Sequence, residues 1–83
     1  MKRVLVYRPS AQRELHHLDR SDAQRILRAL EAFAATGLGD VKALKGALKG
    51  RYRLRVGKWR IFFSLHEPGT ITVTDIDNRG QAY

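Results

Sequence analysis

The chain has 83 residues, 43% hydrophobic and 29% charged, with no cysteine, a size for one core and a composition that excludes a disordered tail or a disulfide scaffold. No apolar run approaches the roughly 20 residues of a spanning helix, and "MKRVLVYRPS" has too short an apolar stretch for a signal peptide, so a single cytoplasmic domain over 1–83 with no membrane partner is expected. Sixteen basic residues against eight acidic ones give a net charge of +8 and a pI near 10.6, which points to a polyanion or an acidic protein as partner.

"KRVLVYR" is short and rich in β-branched residues and predicts a first strand, which Pro9 ends because proline cannot donate to a ladder. Ser10 then reads as a helix cap. Ala11, Leu15 and Leu18, spaced by four and three, predict a short helix over 11–18, which "DRSD" interrupts. Ser21 and Gln24 have the spacing of a capping box and predict a second helix. Its apolar stripe, Ile26, Leu30 and Phe33 with Leu27 and Ala34 beside it, runs to about Ala35 before Gly37 ends it.

Residues 37–50, "GLGDVKALKGALKG", read as a connecting loop pinned by Leu38, Val41, Leu44 and Leu48, with room for a helical turn. From Arg51 to Val56 the pattern alternates, Tyr52, Leu54 and Val56 against Arg51, Arg53 and Arg55, and it resumes after the turn as Trp59, Ile61, Phe63 and Leu65. Gly57-Lys58 suits a two-residue type II′ hairpin turn. "EPGT" makes a further turn and "ITVTDID" a last strand, whose inward set is either Ile71 and Val73 or Thr72, Thr74 and Ile76. Three histidines lack a ligand-like spacing, so neither a metal nor another cofactor is expected. His16 and His17 read as helix-surface residues, and His66 as a turn residue near the basic face.

A two-residue turn fixes the pairing: Val56 with Trp59, Arg55 with Arg60, Leu54 with Ile61, and Arg53 with Phe62. Tyr52, Leu54, Val56, Trp59, Ile61 and Phe63 then share the core face, while Arg53, Arg55 and Arg60 converge on the other. Like charges directly across a strand pair are destabilising, and between Asp40 and Glu67 the chain has no acid to separate them. The excess is uneven: residues 1–40 hold seven basic and five acidic side chains, residues 41–83 nine and three, for net charges of +2 and +6. An ordinary solvated polar face and a phosphate-binding face fit this hairpin equally well, the second because arginine presents a planar fork that matches phosphate.

The order of elements, the segment "LKGALKGRYRLRVGKWRI", and an arginine and a tyrosine four positions apart in the closing "NRGQAY" resemble the RelE/ParE superfamily of toxins from bacterial type II toxin-antitoxin pairs, over nearly the whole chain. The resemblance implies an α+β fold of the RelE-like microbial ribonuclease type: an N-terminal strand, a two-helix hairpin, then an antiparallel three-strand meander with the helices packed on one face. In the RelE-like branch it implies a metal-independent, ribosome-dependent endonuclease that cuts mRNA in the A site. The ParE-like branch shares the fold and acts on DNA gyrase. Carried over residue by residue, the catalytic set becomes Arg53, Arg55, Arg60, Arg79 and Tyr83. Arg53 and Arg60 would clamp the phosphate, Arg79 would serve the leaving oxygen, and Tyr83 would stack on a base or orient the hydroxyl. Lys42, Lys45, Lys49, Arg51, Lys58 and Phe62 would contact RNA around it. RelE-like enzymes often have lysine where Arg53 and Arg55 stand, and arginine cannot act as a base at neutral pH. The general base is therefore unassigned; Asp77 reads first as a strand-end turn former and second as that base. Implied partners are the ribosome with its mRNA and a RelB-like antitoxin, acidic or amphipathic, through which alone operator DNA would be met. A gyrase inhibitor, or a degenerate toxin kept as a binding module, is the alternative.

Overall fold

The computed structural model describes residues 3–46 and 50–78. Its elements run β1 (Val4–Tyr7), α1 (Pro9–His17), α2 (Arg20–Thr36), β2 (Val41–Ala43), β3 (Arg51–Val56), β4 (Trp59–Ser64) and β5 (Thr70–Asn78). The strands form one sheet in the order β1-β5-β4-β3-β2. β1 lies parallel to β5, and the other pairs are antiparallel. The α+β class and the meander over β3, β4 and β5 are those expected. The sheet is wider by β2, in a stretch read above as loop. Three residues carry too little pattern to announce a strand, and β2 forms because the open edge of β3 offers a partner, Val41 opposite Leu54 and Lys42 opposite Arg53.

Both helices contribute to one core against a single face of the sheet. Ala11 from α1 and Ile26, Leu30, Phe33 and Ala34 from α2 are buried together with Leu54, Ile61, Phe63, Ile71, Val73 and Ile76. Each large aliphatic or aromatic side chain among them contributes roughly 1.5–3 kcal/mol by leaving water. Phe63 is central: its ring stacks on Tyr52 at 5.6 Å and meets Phe33 at 5.4 Å in a tilted pair. This is the core face that the hairpin alternation predicts.

The caps differ from the expected ones. α1 begins at Pro9, after an extended Arg8; proline pre-sets the first helical φ and has no N–H to satisfy. Ser10 is thus inside the helix, and its hydroxyl donates to the Thr74 carbonyl at 2.7 Å, tying α1 to β5. α2 begins at Arg20 with Asp19 as N-cap, and no side chain caps it, so the Ser21–Gln24 box does not form. Its end is as expected, with Gly37 left-handed at φ 76° and its N–H bonded to the Phe33 carbonyl. Gly57 opens the hairpin turn at φ +59°, as the first position of a type II′ turn requires.

The inward phase of β5, open in the sequence, is resolved by a β-bulge. The pairing of β4 with β5 shifts between Phe62, opposite Asp75, and Phe63, opposite Val73, which leaves Thr74 as the extra residue. Ile71 and Val73 point into the core before it and Ile76 after it.

Candidate nucleic-acid interface

The uncovered face of the sheet can be followed in rows across the strands. Nearest the hairpin turn, Arg55 stands opposite Arg60, and Arg60 opposite Asp77. In the next row Lys42 faces Arg53, Arg53 faces Phe62, and Phe62 faces Asp75. In the third, Arg51 faces Ser64, Ser64 faces Thr72, and Thr72 faces Val6 of β1. Strict alternation in β3 and β4 puts these side chains on one side, and the bulge turns β5 so that Asp75 and Asp77 join them.

Arg53, Arg55, Arg60, Phe62, Arg51 and Lys42 are therefore together on one surface. Arg55 is exposed, while Arg53 and Arg60 are half-buried. The Nε of Arg53 is buried and has no hydrogen-bond partner among the described residues, an arrangement that costs about 1–3 kcal/mol unless something accepts from it. A phosphate oxygen is the natural acceptor for such a fork.

Other expected contacts lie apart. The Lys58 ammonium sits 5.5 Å over the Trp59 ring, on the side of the hairpin opposite the arginines. Lys45 is exposed beyond the end of β2. His66 packs its ring against Gly50, where a Cβ would stand 3.0 Å from it, at the start of β3 and away from Arg60. Arg79, Tyr83 and Lys49 lie outside the described residues.

Two features escape a strand-by-strand reading. The first is the pair of acids: β5 supplies Asp77 beside Arg60 and Asp75 beside Phe62, so carboxylates do flank the arginines, contrary to the expectation drawn from the acid-free stretch alone. The second is an open cavity of about 360 Å³ at the far end of the same face, lined by Arg8, Arg51, Ser64, Thr72 and Asp75, with Ser10 and Thr74 at its wall. Arg8 follows Val4 and Val6 in the outward phase of β1, and its N–H donates to the Val73 carbonyl at 2.9 Å.

On the helix side, a groove is lined by Tyr7, Gln12, Leu15, His16, Ala23 and Leu27. Burial, and then the Glu31 carboxylate, push the Tyr7 hydroxyl above its ordinary value, so it remains a neutral packing group. Among the described residues, no group of three or more His, Asp or Glu side chains is placed to hold a metal ion, and no helix is long and apolar enough to cross a membrane.

A family model described as the ParE toxin of the type II toxin-antitoxin system parDE matches residues 5–83. No curated protein matches the chain. Among solved structures, the chain is similar to the RelBE2 toxin-antitoxin complex from Mycobacterium tuberculosis, with a TM-score of 0.83 and 22% identity over 95% of this chain and 100% of that one. The archaeal RelE-RelB complex from Pyrococcus horikoshii OT3 matches with a TM-score of 0.78 and 20% identity over 98% and 99%. A YoeB/ParE toxin from Agrobacterium tumefaciens matches with a TM-score of 0.74 and 22% identity over 94% and 98%.

Proposed function

Because the chain belongs to the ParE toxin family of type II toxin-antitoxin systems, and is thus a toxin of such a pair, we propose that it poisons the cell by cutting mRNA in the ribosomal A site. The observation that carries this reading is the arginine row: Arg55 directly opposite Arg60, with the Nε of Arg53, buried and without a partner among the described residues, one row away. A dianionic phosphorane is the species for which convergent guanidinium groups are suited.

In this mechanism the ribose 2′-oxygen bonds to the adjacent phosphorus and the bond from phosphorus to the 5′-oxygen breaks. The products are a 2′,3′-cyclic phosphate and a 5′-hydroxyl, the departing 5′-oxygen taking its proton from water. Arg53 and Arg60 clamp the non-bridging oxygens, with Arg55 adding field beside them. Preorganised donors of this kind stabilise the developing charge more than the ground state, and removing one typically costs about 10²–10³ in rate. Arg79 is assigned to the leaving 5′-oxygen and Tyr83 to stacking on a base or orienting the hydroxyl, both from the family resemblance. Arginine stays protonated, so the 2′-proton must pass to another group; Asp77, beside Arg60, is the acid best placed for it. Lys42 and Arg51 provide phosphate attraction that does not depend on sequence, and Phe62 a stacking surface between them; Lys45, Lys49 and Lys58 add to the long-range positive field.

The proposed setting is the cytoplasm, where ribosomes and mRNA meet. An antitoxin is the expected second partner, since the similar RelBE2 and RelE-RelB structures are toxin-antitoxin complexes. The groove of Leu15 and Leu27 between the helices offers that partner an apolar seat.

The family model itself favours a second reading, because it is the model of ParE, whose branch acts on gyrase. The two are separated by incubating the toxin with programmed ribosomes and, in parallel, with gyrase and relaxed plasmid. The nuclease reading predicts mRNA cut within the A-site codon, bearing 2′,3′-cyclic phosphate and 5′-hydroxyl ends, with supercoiling unaffected. Intact mRNA and inhibited supercoiling would replace it with the gyrase reading.

A further inference from the structure

We propose that the trough between Arg8 and Arg51 is a second nucleotide subsite, holding a base and phosphate of the same RNA strand whose scissile phosphate lies at Arg53 and Arg60. This rests on the RNA reading of that face and extends it to a part of the sheet that Arg53, Arg55 and Arg60 do not line.

The shape comes from side-chain size. Where the second row carries Phe62, the third carries Ser64 and Thr72, so the floor drops. β1 and β3 are three strand spacings apart, about 14 Å, and Arg8, just past the end of β1, and Arg51, at the start of β3, stand at the two sides of the depression. The resulting cavity of about 360 Å³ falls at the lower end of the roughly 300–1,000 Å³ usual for small-molecule sites. Its wall is braced: the Ser10 hydroxyl donates to the Thr74 carbonyl at 2.7 Å and the Thr74 hydroxyl to the Phe62 carbonyl at 3.2 Å.

The lining chemistry selects the ligand class. Two guanidinium forks suit phosphate, but Asp75 repels a bare anion and accepts instead from a ring N–H or an exocyclic amine. Ser64 and Thr72 hydroxyls both donate and accept. A ligand with phosphate at one end and a base edge at the other satisfies all of these groups; free phosphate does not. The spacing fits a continuous strand as well. Arg60 and Ser64 are four residues apart on β4, about 13 Å, which is beyond a stacked dinucleotide but within about four nucleotides at 3.4 Å each.

The test is equilibrium binding by fluorescence anisotropy, using 2′-O-methyl oligonucleotides that cannot be cut: a dinucleotide, a hexanucleotide, and a deoxyribose hexanucleotide for comparison. For wild type the ribo-type hexanucleotide should bind about tenfold tighter than the dinucleotide, or about 1.4 kcal/mol. In Arg8→Ala and in Arg51→Ala most of that gain should vanish. The logarithmic salt slope for the hexanucleotide should fall by about 0.7 for each arginine removed, and Arg8→Ala should leave dinucleotide binding unchanged. Thr72→Val, nearly identical in shape, should also reduce the gain and guards against a folding artefact. A length gain that survives both arginine changes overturns the subsite while leaving the catalytic row intact, provided Arg60→Ala still weakens the dinucleotide. Wild type that binds neither length overturns the subsite and the RNA reading together. Tighter binding of the deoxyribose hexanucleotide assigns the face to DNA and overturns both as well.

Discussion

At the level of single residues, the pairing of Arg55 with Arg60 is the feature that stability alone does not explain. Two guanidinium groups stand directly across a strand pair, an arrangement in which like charges repel, and on β5 Asp77 stands opposite Arg60. A sheet selected for stability alone would place threonine or an opposite charge at one of these positions. Arg55→Thr is therefore expected to raise stability to urea by up to about 1 kcal/mol at low salt, with the gain shrinking as salt screens the pair. The same substitution is expected to slow RNA cleavage. Urea titrations at two ionic strengths check the first part; a destabilised variant would mean that the two side chains are not in conflict. Arg53 carries the companion feature, a buried Nε without a partner among the described residues, which an RNA phosphate would complete.

At the scale of elements, β5 deserves the most weight, because one strand carries two side-chain phases. Ile71 and Val73 face the core before Thr74 and Ile76 faces it after, and the same shift sends Asp75 and Asp77 to the arginine side. Ile76→Ala is expected to cost about 2–5 kcal/mol, whereas Asp77→Ala, one residue on, should change stability by no more than about 0.5 kcal/mol. Comparable losses at both positions in thermal or urea unfolding would contradict the bulged phase. The hairpin of β3 and β4 was legible in the sequence because a two-residue turn makes every pairing a matter of arithmetic. β5 was not, since Ile71 and Val73 stand in one phase of the alternation and Ile76 in the other, which leaves the inward set open until the bulge is seen, and with its phase went the acids beside the arginines. β2 is held by the edge of β3 rather than by its own three residues. The caps misled for a local reason: Pro9 starts α1 unaided, which frees Ser10 to bond Thr74, and α2 begins at Arg20, one residue ahead of the serine that would have capped it. The trough at Arg8 was hidden because its walls come from β1 and β3, more than 40 positions apart in the chain.

At the scale of the whole molecule, the sheet divides two kinds of surface. One side is covered by α1 and α2, whose groove around Leu15 and Leu27 is apolar and suits a protein partner. The other is open and carries Lys42, Arg51, Arg53, Arg55 and Arg60 in the half of the chain with a net charge of +6, a field that draws in a polyanion and makes binding salt-dependent. In the proposed reading the arginine rows perform the cleavage rather than merely attract RNA. Its most direct test is the single-turnover cleavage rate of A-site mRNA on programmed ribosomes, at saturating toxin, for wild type and Arg60→Ala. The rate should fall by about 10²–10³ while ribosome affinity changes little. An unchanged rate at saturation, with only affinity reduced, would contradict it and leave the arginines as a binding surface.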